Sequence, residues 1–421
     1  MRRPSKSLSP KLSADSQRLA ALARALMDAG SRLEERSWER SLDTLVRKLF
    51  KTGHQQTVDA ALDFLFSTDQ EAYEALIHSV EACTIECSLE HEGKHYDALL
   101  IAVPILAWTR FSIPSGGIPP EMALALSAHL YAHVLAPDTR VAMAPTLFSI
   151  DQLPRTHADA LALTQRMAQA ALSGAPLRPL ANPAETAPFL ADTRFLLAAV
   201  AAPAQSPIFR WQAPDAETGM LQDRQSILRH WTAQAQPNIE RLLPGCGVEL
   251  LMPDAYYVAC RNADTQIRPI SIRAAVNYLT HTLSIEPAAL SAIIGAFGDD
   301  APDARIDEYR ISFTLRRQPE VLYGVVWPLY GQEEAEEDQS DGLAARILQT
   351  GMPEDTQAAE PIDQIMAVLR ACGIPDIKRH KERFAMEFCE DCGTPLFCDP
   401  EAELVHAEMP EDSEQAPSHL H

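Results

Sequence analysis

Cys389 and Cys392 stand three apart in the stretch FCEDCGTPLFCD, with Gly393 directly behind the second thiol. Two thiolates so spaced point the same way across a tight turn, and glycine supplies the backbone conformation such a turn needs. This is half of a zinc knuckle. A redox pair with the same spacing belongs at a helix N-terminus, where the thiol pKa falls. Here the pair follows the strand-like RFAMEF and precedes GTPLF, with no helix behind it, so Zn2+ fits better than thiol–disulfide chemistry. Tetrahedral zinc needs two more ligands, and the candidates are His406, Cys398, His380 and Cys372. TPLF and ELVHAE read as a short hairpin turned at CDPEAE. That turn returns His406 to the knuckle near Thr394 and leaves Cys398 roughly 13–20 Å from the pair if the intervening residues are extended. His406 is therefore preferred over Cys398, and the fourth ligand stays open among Cys398, His380 and Cys372. No general base stands beside the pair, and Glu387 and Glu390 read as solvated charges, so a structural site is expected rather than a catalytic one.

Two loop arginines are the other candidates. Arg110 lies beside Trp108 and Phe111, and Arg210 between Phe209 and Trp211, each just after an apolar strand. Loops after strands are where α/β proteins place ligands, so the pair could receive an anionic small molecule. The plain alternative is that each guanidinium stacks on its neighbour and pairs with a carboxylate. RFSIPSGGIPPE resembles a phosphate loop but lacks Gly-Lys-Ser/Thr, and two prolines remove N–H donors. His129 and His133 share one helix face and read as a packing pair, since no HExxH is present. Cys83, Cys87, Cys246 and Cys260 sit in apolar surroundings and read as small core residues. There is no Walker A, GxGxxG, GxSxG, kinase set or EF-hand loop, which favours a non-catalytic protein.

The elements that must position these groups are an α/β (α+β) set. Residues 14–82 read as a helical cap of four helices, with Leu19, Leu22 and Leu26 on one stripe and a capping box from Ser31 to Glu34. From 83 the pattern changes to hairpin, helix, strand and helix, and that order recurs. RFLLAAVAAP echoes ALLIAVP, and GVELLMPDAYYVA parallels RVAMAPTLFSI; SIRAAVNYLTHTL and EPAALSAIIGAF follow as helices. Two or three repeated units are expected, at 83–180, 190–300 and 305–386, the last carrying an acidic insertion at 332–342. A zinc-ribbon-like hairpin at 387–410 follows. Residues 1–13 and 411–421 read as disordered tails, and 180–193 holds the linker between the first two units.

The 421 residues carry a formal net charge of −22. Six acids fall within 333–341 and ten from Glu387 onward, with no Lys or Arg in either segment. The body is only mildly acidic, which argues against general nucleic-acid binding by a basic face. No apolar run is long enough for a membrane helix, and the basic N-terminus lacks the apolar core of a signal peptide, so a cytoplasmic protein is expected. Hairpins of this kind dock protein partners, and the acidic flanks suit a basic surface on one.

SRLEERSWE, LAWTRFSIPSGGIPPE, LLPGCGVELLMPDAYYVACR, VLYGVVWPL, MEFCEDCGTPLF and VHAEMPED together resemble an uncharacterised bacterial domain-of-unknown-function family of about this length, found in Gram-negative bacteria. The resemblance spans nearly the whole chain. It implies a cytoplasmic protein with no assigned activity and transfers no catalytic residue. It also implies that Cys389, Cys392, Gly393 and His406 belong to the family pattern, and that Cys398 does not.

Overall fold

A computed structural model of the chain describes residues 12–110, 112–178, 190–214, 219–298, 306–330 and 360–410. Residues 1–11 of the N-terminal tail, the tail 411–421, the acidic insertion at 332–342 and most of the 180–193 linker lie outside these residues, as does Phe111; Ser13, expected within the disordered start, instead caps the first helix.

Helix starts in the N-terminal quarter follow the polar residues that can satisfy free backbone N–H groups. Ser13 accepts from the N–H of Ser16 and opens α1 (Ala14–Met27). Ser31 does the same for Glu34 at the start of α2 (Arg32–Lys51), while the Glu34 carboxylate accepts from the N–H of Gly30 at 3.1 Å. Asp69 caps α4 (Gln70–Ile85), which follows α3 (Gln55–Thr68). The four helices close on Leu19, Leu42, Val46, Val58, Leu65 and Leu76.

A larger sheet follows. It contains β1 (Glu86–His91), β2 (Lys94–Trp108), β3 (Gly116–Gly117), β4 (Arg140–Ser149), β5 (Ala191–Pro203), β6 (Gly247–Leu250) and β7 (Asp254–Ala255). Its helices are α5 (Pro120–His129), α6 (His157–Ser173), α7 (Arg224–Leu242) and α8 (Tyr256–Thr282). From Ala98 to Ala107 every residue of β2 is buried. Such a strand needs ladder partners on both edges and apolar cover on both faces. β5 runs antiparallel along one edge from Tyr96↔Pro203 to Trp108↔Ala191, and β1, β7 and β6 share the other edge. α6 and α8 pack on β2 and β5.

The segments 83–180 and 190–300 therefore do not build separate sheets: β5, the first strand of the second segment, lies between β2 and β4 of the first. Neither of the long apolar strands has another partner of matching length, so each becomes the other's neighbour. The phosphate-loop likeness also gives way. Gly116 and Gly117 pair as an edge strand with Leu147 and Thr146, and buried Arg194 donates to the carbonyls of Ile113 and Pro114 at 2.7 and 2.9 Å.

The second sheet has the order β10-β9-β8-β11, from β8 (Leu290–Gly298), β9 (Glu308–Leu315), β10 (Tyr323–Pro328) and β11 (Asp376–Ala385), with α9 (Pro361–Ala371) before the last strand. β8 and β11 are parallel and the other pairs antiparallel. EPAALSAIIGAF, expected as a helix of the second unit, is instead a single turn over Pro287–Ala289 followed by β8. Its β-branched Ile293 and Ile294 suit a central strand buried on both faces. Likewise, helix α8 begins at Tyr256, so only the first part of GVELLMPDAYYVA is strand.

α8 joins the two cores. Tyr256, Ala259 and Ala263 pack in the first, and Ile272, Ala275 and Leu279 in the second. Pro269, at the changeover, leaves the Thr265 carbonyl without its helical donor. The Nε of buried Arg268 donates to that carbonyl at 3.2 Å, and its Nη1 donates to Pro328 of β10 at 2.8 Å.

His157 opens α6 between the Phe50 ring of α2, at 6.5 Å, and the Tyr257 ring of α8, at 5.9 Å. Burial holds its pKa below the usual histidine value, with Asp59 and Glu81 only partly offsetting this. The unfolded chain then binds a proton that the folded chain resists, so stability present above pH ~6.5 falls on acidification through that value. His133, lowered by burial and by His129, His230 and Arg210, acts in the same direction. His157→Phe is expected to lose less of its urea midpoint between pH 7.5 and 5.5 than the native protein does. An equal loss in both would remove His157 from the account.

Candidate metal centre

After β11 the chain makes a tight knuckle. Phe388 and Pro395 bridge antiparallel, Cys389 N–H donates to the Thr394 carbonyl at 2.8 Å, and Gly393 N–H donates to the Cys389 carbonyl at 2.8 Å. Gly393 has φ 73°, where a side chain would be strained. The chain then forms β12 (Phe397–Cys398), turns, and returns as β13 (Leu404–Val405) in the register Phe397↔Val405 and Cys398↔Leu404. Asp399 holds the turn through its Oδ1, which accepts from the N–H groups of Glu401 and Glu403 at 2.8 and 2.9 Å.

This return places His406 against the knuckle. The Cys389 and Cys392 sulfurs and a ring nitrogen of His406 all lie within 4.8 Å of one another. His406 Nε2 is 3.2 Å from Cys392 Sγ, and the Thr394 hydroxyl is 3.0 Å from that sulfur and 3.1 Å from that nitrogen. A tetrahedral zinc ion separates such donors by roughly 3.5–3.8 Å, given Zn–S of about 2.3 Å and Zn–N of about 2.0 Å, so the cluster fits an ion of that size. Thr394, through hydroxyl and backbone, and then His406 and Cys389 hold the Cys392 thiol down to about pKa 6. The donor that a divalent ion requires is thus largely ionised at neutral pH.

The three other candidates lie elsewhere. Cys398 is fully buried beside Ile293, Phe297 and Phe384, and burial pushes its thiol up to about 11. His380 Nε2 lies 2.8 Å from the Asp399 carbonyl and therefore donates to it, while its ring meets Phe384 edge-on. Cys372 caps the C-terminus of α9 against the second core. Their types suited zinc, but each fills a space between packed elements. Among the described residues the cluster has three donors.

The ribbon is docked on one face of the second sheet. Tyr309, Ile311 and Phe313 of β9 point into the core shared with α8 and α9, and the alternate residues Arg310 and Ser312 face the ribbon. Arg310 is fully buried. Its Nη1 donates to the carbonyls of Glu387 and Leu396 at 2.8 and 2.6 Å, and its Nε to Glu308 at 2.6 Å. The guanidinium lies over Phe297 and Phe388, at 4.2 and 5.2 Å. Ser312 Oγ donates to the Cys398 carbonyl at 2.5 Å. Two glycines make room: a Cβ at Gly324 would lie 2.2 Å from the Phe397 ring, and one at Gly295 would lie 2.7 Å from Cys398 Sγ. Arg310 and Thr394 were missed as functional residues. The alternation in YRISFTL marks Arg310 as off the core face, but only the docked ribbon gives it a partner.

Arg110 and Arg210 do not meet. They follow the C-terminal ends of β2 and β5, and antiparallel pairing sends those ends to opposite sides of the sheet, roughly 40 Å apart along the strands. Arg110 lines a cavity of about 270 Å3 with Trp108, Glu249, Arg273 and Asn277. Arg210 donates to the Tyr131 carbonyl at 3.0 Å and lies near His133. Trp211 stacks on Phe209 at 4.4 Å, and the guanidinium over it is that of Arg224, not Arg210. His129, His133 and His230 form a stack with 6.3 and 6.5 Å between ring centroids.

Fold and site together define a mixed α/β protein whose terminal ribbon carries a thiolate–imidazole cluster able to hold a metal ion. No helix among the described residues is long and apolar enough to cross a membrane. The chain belongs to the family described as "Protein of unknown function (DUF2863)", whose model matches residues 4–420. No curated protein and no solved structure matches it.

Proposed function

We propose that Cys389, Cys392 and His406 hold a structural Zn2+, and that the ribbon it closes is the binding surface of a non-catalytic, cytoplasmic protein. The observation that carries this is the convergence of three donors within 4.8 Å. Two soft thiolates with an imidazole suit zinc over hard-ligand metals such as Mg2+ or Ca2+. Exposed Glu387, Glu390 and Glu408 give the ribbon an acidic rim, which complements a basic patch on a protein partner. The measurement is zinc per chain in protein purified without added metal or chelator. One equivalent is expected, and none would overturn the assignment.

We also propose that β2–α5–β4–α6 and β5–α7–β6–α8 are copies of one unit. In support, β2 pairs antiparallel with β5, and each unit's second strand lies beside the other unit's first.

A further inference from the structure

We propose that the cavity between the end of β2, strand β6 and helix α8 binds a small aromatic monocarboxylate, whether or not the ribbon carries metal. Its wall comes from elements that the fold holds in place. In α8, Ile270, Arg273, Ala274 and Asn277 stand at i, i+3, i+4 and i+7 and so share one face of the helix. In the sheet, Trp108 stands opposite Gly247 of β6. A Cβ at Gly247 would lie 2.3 Å from the indole, so glycine is what lets the ring pack against that strand. The next residue, Thr109, is tied by its N–H to the Leu190 carbonyl at 2.9 Å and by its hydroxyl to the Gly245 carbonyl at 3.0 Å. A ligand would thus meet a wall already ordered, which lowers the entropic cost of binding.

The chemistry of the wall is graded. Ile270 and Ala274 are buried and give an apolar floor with the indole, whereas Arg273, Asn277 and Glu249 are exposed and form the rim, and Arg110 is half-buried. An apolar floor under a few polar groups is the usual form of a small-molecule site. Two guanidinium groups, Arg110 and Arg273, against the one carboxylate of Glu249 leave the cavity a single positive charge in excess, in a chain of net charge −22. That excess selects an anion and limits it to one charge, since a phosphate dianion would set a second negative charge against Glu249. A carboxylate also matches the planar guanidinium fork with two parallel hydrogen bonds, and the Asn277 amide can donate another. An aromatic body suits the indole. The cavity is about 270 Å3. That is room for roughly nine water-sized groups, about the size of one benzene ring bearing a carboxylate and short of the roughly twelve heavy atoms of an aromatic amino acid.

Equilibrium dialysis of the full chain against benzoate, benzamide, acetate and inorganic phosphate tests this. Benzoate should half-saturate at a concentration about tenfold or more below that of benzamide, a neutral molecule of the same shape that forgoes the charge-assisted hydrogen bonds. It should also bind about tenfold or more tighter than acetate, which lacks the ring. Arg273→Met, at an exposed position, should weaken benzoate about tenfold or more and leave benzamide where it is. Arg210→Met, on the other side of the sheet, should change neither. Benzoate no tighter than benzamide or acetate, phosphate tighter than benzoate, equal weakening by the two arginine variants, native binding by Arg273→Met, or no retention of any probe at up to about 10 mM each overturns the proposal.

Discussion

Arg310→Met is expected to release the C-terminal ribbon and to lower the unfolding free energy by roughly 3–5 kcal/mol, the usual cost of leaving a buried charge without its partner. The side chain is fully buried, so its charge is stabilised only by what it touches. Those contacts are the Glu308 carboxylate, the carbonyls of Glu387 and Leu396, and the faces of Phe297 and Phe388. Methionine fills much of the volume but supplies no donor. Glu308 is then left without its counter-charge, and the Leu396 carbonyl loses its Arg310 donor inside the protein, while the Glu387 carbonyl keeps only the Leu396 N–H at 3.1 Å. Urea unfolding gives the global cost, and limited proteolysis should cut between 386 and 397 in the variant before anywhere else among the described residues. Arg310→Lys should recover only part, because one ammonium cannot serve the planar fork's separate directions. If Arg310→Met unfolds at the native urea concentration, the guanidinium is not the anchor described.

Cys389→Ser together with Cys392→Ser has a different expected signature: zinc falls from one equivalent to none while most of the ribbon stays in place. Structural zinc sites contribute about 10–16 kcal/mol of apparent binding energy in small peptides that fold only with metal. This ribbon has packing contacts besides the thiolate–imidazole cluster. Phe397 fits over Gly324, Cys398 beside Gly295, and Arg310 grips both strands of the knuckle. The loss should therefore be confined to the tip. Hydrogen exchange at the Cys389 and Gly393 amides, protected in the native protein by bonds within the knuckle, should rise by several orders of magnitude, with the amides of β8 and β9 unchanged. Retention of a full equivalent of zinc in the double variant would place the ion elsewhere.

The parts of this arrangement that depend on neighbours in the chain were legible in the sequence. Cys389, Cys392 and Gly393 lie within five residues, and His406 is carried back by a hairpin whose turn residues are local. The helix start at Ser31 is likewise a short-range matter of free N–H groups and nearby oxygens. What depended on distant partners was not legible. EPAALSAIIGAF is a short apolar run, and period alone does not separate a buried strand from a buried helix at that length. Cys398 has the right chemistry for zinc, but β12 aims it at Gly295, a strand position about a hundred residues earlier. Arg310, Ser312 and Thr314 alternate with apolar residues as a solvated face would, yet all three are buried. The two loop arginines looked equivalent because their strands do, and antiparallel pairing of those strands is what separates them.

That pairing also sets a schedule for the growing polypeptide. β2 leaves the ribosome with β1 as its hairpin mate, but the partner for its other edge, β5, is not made until residues 191–203 are translated. At about 5–20 residues per second the wait is on the order of 5–20 seconds. For that interval an apolar strand with one bare edge is available to any sticky neighbour. β6, which covers the remaining end of β2, arrives later still. Nascent chains of this protein should thus be most dependent on chaperones between the synthesis of residue 108 and that of residue 250.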